Sequence, residues 1–414
     1  MPKGHVITMK LQRSKPQKRL SIKDRTSSMV FCLASFFNFV LPCCNILSIC
    51  SIPDYTDSAK AVFDYLGKKG TEDRPVVVWH VKNPSLVRSI YKRNTYSDFR
   101  VRFVKKNRLL SFLMFCLSRY IVDTHGLYSM VKMKNRQRSI YLTHGMPVKK
   151  FGFEYENDIQ MGVQHADYAL ATSHFYQDVI SRSMHIQESS VFPIGLPRND
   201  IFFELDPYET RIRELLSPKY YIYLPTYRVS NSKNKNNGKD LNQGELILGG
   251  TWDEWKRLNK TLWEKQAKIV IKPHPLEAHF NADLLKKLNQ IIIIDDEWII
   301  ENELSLNLIM KYSDMLITDY SGAFIDYLLV DKPIVFFVPD YSEYKDSRGY
   351  VFEDYISFLP GKTITQFVEI GDTLNSDEYA QQRSKVRKMV NSQTDANASE
   401  IVCNILFNDS YLRR

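Results

Sequence analysis

Two hydrophobic rhythms alternate along most of the chain. Short β-branched, apolar runs end in polar turns, and between them apolar residues return every three or four positions. The run NILSICS predicts a strand over about 45–51. DSAKAVFDYLGKKG (57–70) has helical spacing and stops on Gly70, a good C-cap. PVVVWHV (75–81), SIYLTHG (139–145) and DYALATS (167–173) read as strands; NPSLVRSIYKRN (83–94) and SHFYQDVISRSM (173–184) read as helices. GLYSMVKMKNRQ (126–137) fits neither period. After a Pro- and charge-rich break the alternation resumes. KYYIYLPTYR (219–228), AKIVIKPHP (267–275) and QIIIIDD (290–296) predict strands, WDEWKRLNKTLWEKQ (252–266) a helix, and 314–340 a strand, helix and strand. Strands alternating with helices imply parallel sheets and right-handed crossovers.

The pattern divides the chain into a basic arm and amphipathic helix (1–41), two α/β domains (42–210 and 211–395) and a C-terminal helix or tail (396–414). EYAQQRSKVRKMVN (378–391) predicts a basic amphipathic helix, and the polar stretch 229–245 predicts a mobile loop. Two α/β units facing each other make a cleft, and ligands of open parallel sheets bind beyond the carboxyl ends of the strands.

The N-terminus changes the picture. Eight basic residues (Lys3, Lys10, Arg13, Lys15, Lys18, Arg19, Lys23 and Arg25) face one acid, Asp24, before the apolar run 29–50. Asn38, Pro42 and Asn45 interrupt that run, and no small-residue cleavage site follows. This favours a short amphipathic helix (about 29–41) over a signal peptide or a span. Arm and helix suit an anionic membrane surface; a disordered arm plus one core helix fits equally well.

Composition adds bounds. With 414 residues, 44% of them hydrophobic and 25% charged, the chain is long enough for large cores without disulfides. The net charge of +9 (56 Lys and Arg against 47 Asp and Glu) suits anionic partners without choosing among them. Six cysteines without metal-ligand spacing make a reducing cytoplasm the simplest compartment. There is no Walker A loop, no GxGxxG, no HExxH and no CxxC, which disfavours ATP-driven, dinucleotide and zinc chemistry.

Candidate chemistry sits at strand ends. HGMPVKK offers His144, Gly145 and Lys149; an imidazole accepts protons near neutral pH, and glycine lets backbone approach a ligand. In IKPHP, prolines stiffen the turn around His274, beside Lys272. TDYSG places Thr318, Asp319, Ser321 and Gly322 at a strand-to-helix turn, where backbone N–H groups favour phosphate; an ordinary helix cap also fits. Arg228 and Arg348 could clamp a diphosphate. Asp326 suits a neighbouring loop better than substrate, and GLPRND, with Arg198, could simply order the inter-domain turn.

Taken together, HGMPVKKFGF, GLPRNDIFF, YLPTYR, IKPHP, TDYSGAFIDYLLVDKPIVFF and YKDSRGYVFEDY resemble the CDP-glycerol glycerophosphotransferases, the teichoic acid primase and polymerase family, over roughly 45–395. YTDSAKAVFDYL departs mildly, with Thr56-Asp57-Ser58 where Asn-Ser-Lys is more usual. The resemblance implies an α/β GT-B fold, two Rossmann-like domains facing across a cleft. It implies transfer of glycerol phosphate or a related polyol phosphate from a CDP-linked donor to a lipid-linked or polymeric glycan, peripherally on the inner face of the bacterial cell membrane. His144 would be the general base and His274 would hold the donor diphosphate, with Arg228 and the 318–322 turn neutralising phosphates. No tightly bound cofactor or protein-held metal is expected, with Mg2+ left open. A GT-B nucleotide-sugar glycosyltransferase or epimerase is the alternative, and a non-catalytic membrane- or nucleic-acid-binding protein a more distant one; no nucleic-acid module is present.

Overall fold

The computed structural model describes residues 32–69, 74–93, 100–155, 166–205, 207–226, 248–274, 277, 282–374 and 376–408. The expected basic arm and the polar loop at 229–245 lie outside these residues.

Two parallel sheets carry the molecule. The first comprises β1 (Cys44–Cys50), β2 (Val76–Val81), β3 (Val101–Lys105), β4 (Ser118–Asp123), β5 (Arg138–Tyr141), β6 (Tyr168–Leu170) and β7 (Val191–Phe192), in the order 3-2-1-4-5-6-7. The second comprises β8 (Tyr220–Leu224), β9 (Lys268–Ile271), β10 (Ile291–Ile293), β11 (Met315–Thr318), β12 (Ile334–Phe337) and β13 (Lys362–Ile364), in the order 10-9-8-11-12-13. Each order reverses beside its first strand, which places a ligand crevice at the β1/β4 and β8/β11 strand ends. The strands read as apolar runs because both faces are covered. All five residues of β8 and all four of β11 and β12 are buried.

The stretch 94–125, where no period stands out, holds β3, a helix (Leu109–Leu117) and the central strand β4. The apolar run LLSFLMFCL passes directly into SRYIVD with no Gly or Pro between them. Periodicity cannot separate a buried helix from a buried strand there.

The N-terminal helix spans 32–40. It is held by polar contacts. Asn38, fully buried, donates from Nδ2 to the Lys132 carbonyl (2.9 Å) and to Gln137 Oε1 (2.8 Å), and Lys134 Nζ donates to the Leu41 (2.8 Å) and Cys116 (2.6 Å) carbonyls. Its apolar side faces solvent: Phe36 is 62% exposed and Phe39 73%, with Leu33, Phe37 and Val40 beside them. Leu109, 73% exposed, and Leu110 project from the helix Leu109–Leu117; Phe112 of that helix and Ala34 pack on one small buried cluster with Phe115 and Ile121. No helix among the described residues is long and apolar enough to cross a membrane.

The chain crosses between the lobes twice. After β7 it passes through 195–219 into the second sheet. After β13 it returns: the helix Ala380–Val390 ends where Thr172 and Ile325, one from each lobe, bond Val390 and Asn391, and the helix Ala398–Phe407 packs on the first lobe. Asp200 caps that last helix, accepting from the Ala398 (3.1 Å) and Ser399 (2.9 Å) N–H groups. Gln393 donates to Asp200 (2.8 Å) and accepts from Leu196 N–H (3.2 Å), so the two crossings are laced together.

Candidate active site

The first lobe's site grows from the ends of β4 and β5. β5 leaves its sheet through Thr143, at φ 58°, and Gly145, at φ +123°. A threonine in the left-handed region is strained, and the surroundings must hold it there. The turn throws the His144 side chain into the cleft, where it is exposed. His144 Nδ1 lies 3.3 Å from the Tyr141 hydroxyl, and its ring stacks on His125, with centroids 4.6 Å apart and planes at 23°. Although the ring opens to the cleft, protein crowds it on the other sides. This desolvation holds its pKa below the ordinary value; Arg198 adds to the effect, while Asp57 and a bond to the Thr124 carbonyl oppose it.

Arg198 organises this corner. Nη1 donates to Asp57 Oδ1 (3.1 Å) and to the His144 carbonyl (3.2 Å), and Nη2 donates to Asp326 Oδ2 (2.5 Å). Asn199 donates to the other Asp326 oxygen (2.9 Å). A Cβ on Gly145 would stand 2.8 Å from Arg198 Nη2, so glycine is needed both for its φ and for this approach. Asp326 and GLPRND thus join lobes, as the sequence indicates.

The second lobe brings His274, partly buried after β9. Burial pushes its pKa down to about 4, helped by the positive fields of Lys272, Lys149 and His144. Lys149 and His144 belong to the first lobe, so the two histidines share one cleft. Both imidazoles are neutral at pH 7, which suits one to accept a proton and the other to donate a hydrogen bond to phosphate.

The remaining expected residues have more specific placements. Lys272 Nζ is paired with Asp296 (2.8 Å). Asp319 does not present a free carboxylate: it accepts from Thr226 N–H (3.0 Å), from Thr226 Oγ1 (3.0 Å) and from Tyr320 N–H (2.6 Å), tying the ends of β8 and β11. Thr318 is fully buried and its hydroxyl donates to the Leu224 carbonyl (2.8 Å), away from any ligand. Ser321 Oγ accepts from Ala323 N–H (3.2 Å) as a local cap. Gly322 sits against the other lobe; a Cβ there would lie 2.3 Å from the Met146 carbonyl. Turn residues at a strand end look alike in sequence, and only packing decides which face the cleft. Arg228 lies outside the described residues, and Arg348 ends the helix Tyr341–Arg348.

The lobes touch beside this site. Lys149 and Tyr350 form an antiparallel bridge, and Val351 N–H donates to the Val148 carbonyl (3.0 Å). Phe175 of the first lobe stacks on Phe352 of the second at 5.4 Å. Among the described residues no group of three or more His, Cys, Asp or Glu is arranged to hold a metal.

His125 escapes the motif reading because β4 does. Its signal is visible only afterwards: Thr-His-Gly occurs at 124–126 and again at 143–145, at the ends of adjacent strands.

Comparison with known proteins bears on this geometry. Residues 34–408 match the family model described as CDP-Glycerol:Poly(glycerophosphate) glycerophosphotransferase. A teichoic acid glycerol-phosphate transferase of Staphylococcus aureus is 22% identical over 384 residues, 85% of this chain and 90% of that protein. The teichoic acid ribitol-phosphate polymerase TarL of the same organism is 24% identical over 275 residues, 63% of this chain and 46% of that protein. A teichoic acid ribitol-phosphate primase of Bacillus spizizenii is 25% identical over 224 residues, covering 52% of this chain and 51% of its own length. The chain thus spans about half the length of the latter two relatives. Among solved structures, the wall teichoic acid polymerase TagF superposes with a TM-score of 0.71 at 21% identity, over 92% of each chain. A UDP-GlcNAc 2-epimerase from Neisseria meningitidis reaches 0.51 at 11% identity, over 88% of this chain and 100% of its own. Both likenesses are of fold, and the fold is GT-B.

Proposed function

The chain belongs to the CDP-glycerol:poly(glycerophosphate) glycerophosphotransferase family, and on that premise we propose that it moves glycerol phosphate, or a related polyol phosphate, from a CDP-linked donor to a hydroxyl of a lipid-linked or polymeric cell-surface glycan. The acceptor oxygen attacks the phosphorus nearest the polyol. The bond from that phosphorus to the bridging oxygen breaks, and CMP leaves with the electron pair. The acceptor's proton passes to the His144 imidazole. His274 donates a hydrogen bond to the diphosphate, and Lys149 adds positive charge. Such a transfer is mostly positioning and charge stabilisation. The observation that supports this best is that each lobe presents one desolvated imidazole at a strand end, His144 after β5 and His274 after β9, beside the Lys149–Tyr350 bridge that joins the lobes.

No protein-chelated metal enters this reading, and activity persisting in a chelator is the corresponding test. Peripheral attachment to the inner face of the cell membrane is part of it: the exposed phenylalanines of the helix 32–40 and Leu109 and Leu110 offer apolar surface to lipid.

The test is product analysis. Purified protein, a synthetic lipid-linked glycan and CDP-glycerol should release CMP; UDP-sugars should release no UDP. His144→Ala and His274→Ala should each keep the fold and lose release by about 10²–10⁴-fold. Release of UDP instead would move the chain to the nucleotide-sugar enzymes.

A further inference from the structure

The reaction above assigns no role to His125, yet His125 is the ring in contact with the proposed base. Three features fix it. Asp123, buried at the end of β4, accepts from the backbone N–H groups of His125, Gly126 and Leu127, so the turn carrying the ring is cradled. Gly126 takes φ 80°, which lets the turn close. Thr124 Oγ1 lies 2.7 Å from His125 Nδ1, fixing the ring about its own bonds. Thr124 also reaches His144 through its carbonyl, so one residue addresses both rings.

We propose that His125 is a positioning residue for His144: its pinned ring forms a rigid platform, 4.6 Å away and 23° from parallel, that fixes the plane in which His144 offers nitrogen to the acceptor hydroxyl. This rests on His144 being the base. Proximity catalysis demands such fixation, since a misplacement of about 1 Å can cost about 10²-fold in rate. Apart from the stack, the polar contacts that hold the His144 ring among the described residues are a 3.3 Å approach to the Tyr141 hydroxyl and a bond to the Thr124 carbonyl, and one side of the ring opens to the cleft. The stack also excludes water from one face of His144. The charged and titratable groups around the pair are Asp57 and Arg198, which act on both rings, Lys106 on His125, Tyr141 beside His144, and His274 across the cleft. Burial and the His144 charge hold His125 down to about 3, so it stays neutral while His144 titrates.

The experiment compares His125→Ala and His125→Phe in the full chain, using CDP-glycerol and a synthetic lipid-linked disaccharide, with CMP release followed from pH 5 to 9. His125→Ala should lower kcat by about 10–100-fold with KM for CDP-glycerol little changed. Water reaching the exposed face should let the His144 pKa rise, so the acidic limb of kcat/KM moves to higher pH and the loss is larger at pH 6 than at pH 8. His125→Phe keeps a stacked ring and should retain kcat to within about threefold, with the limb in place. A merely structural role would lower melting temperature and active fraction without moving the limb. The proposal is overturned if His125→Ala leaves kcat and the limb unchanged, or if His125→Phe loses as much as His125→Ala. His144→Ala separates the two ideas: if it remains active, the base assignment fails whatever His125 does; if it is inactive while His125→Ala is normal, only the platform fails.

Discussion

Replacing Arg198 by methionine tests the junction on which the cleft depends. The guanidinium is 14% exposed and its partners Asp57 and Asp326 are 12% and 3% exposed, so three charges lie nearly out of water. Removing the cation strands Asp326, whose carboxyl burial already pushes above the usual range and which Arg198 restrains. Breaking a buried pair from one side costs about 3–5 kcal/mol. Unfolding entropy is about 2.1 cal/mol/K per residue, so a chain of 414 residues unfolding as a unit loses about 1 °C of Tm per kcal/mol. The expected drop is therefore about 3–6 °C at pH 8. The pH dependence has a definite sign. A carboxyl with a raised folded-state pKa binds protons that the unfolded chain has released, so the variant gains stability as pH falls and the Tm deficit at pH 5 is smaller than at pH 8. Arg198 also holds the His144 carbonyl, so kcat should fall by about 10²-fold. Adding Asp326→Asn removes the stranded charge and should recover at least half the Tm deficit. Differential scanning fluorimetry at the two pH values and a CMP-release assay read both effects. An Arg198→Met protein that melts with its parent at pH 8 would refute the reasoning.

Other changes have equally definite outcomes. Gly322→Ala puts a methyl group 2.3 Å from the Met146 carbonyl and should part the lobes, seen as a larger radius of gyration in small-angle scattering and a loss of turnover with melting little changed. Acidification should destabilise the protein between pH 7 and 5.5: His80, His125 and His274 are held down to about 3, 3 and 4, so at these three positions only the unfolded chain takes up protons there, while Asp123 and Asp200, raised to about 6, protonate in the folded chain through the middle of that window and offset part of the loss. For the fully buried His80 alone the loss at pH 5.5 is about 1.4 kcal/mol, and a urea midpoint that stays flat across the window would contradict it. Phe36→Ser with Phe39→Ser should weaken flotation with anionic vesicles by about 10²-fold, since each ring contributes about 1.5–3 kcal/mol on burial; undiminished flotation would exclude that face from membrane binding.

Much of this molecule can be read from its chain, for identifiable reasons. β8, β9 and β11 are continuous apolar runs bounded by turn residues, so a strand and its polar exit are both visible. His274 lies at such an exit, after β9, and His144 at the exit of the shorter β5. β4 is different. It follows a helix without punctuation, and with it the Thr124-His125-Gly126 turn stays hidden. The turn at 318–322 is visible as a turn, but the direction of each side chain is not. Thr318 faces β8 and Asp319 faces Thr226 because two strand ends must be tied, a demand of tertiary packing alone. Likewise Arg198 meets Asp57 and Asp326 across 141 and 128 residues of chain, separations no local pattern encodes.

The lacing of the two crossings by Gln393 and Asp200 has a mechanical meaning. Lobes on a single tether could swivel and drift apart; lobes joined twice, with the joints stitched side by side, are left mainly one rotation, a rocking about the line through the stitches. A protease nick in the segment 203–207 should therefore leave both fragments migrating together on a sizing column, still able to bind one another without a peptide bond between them.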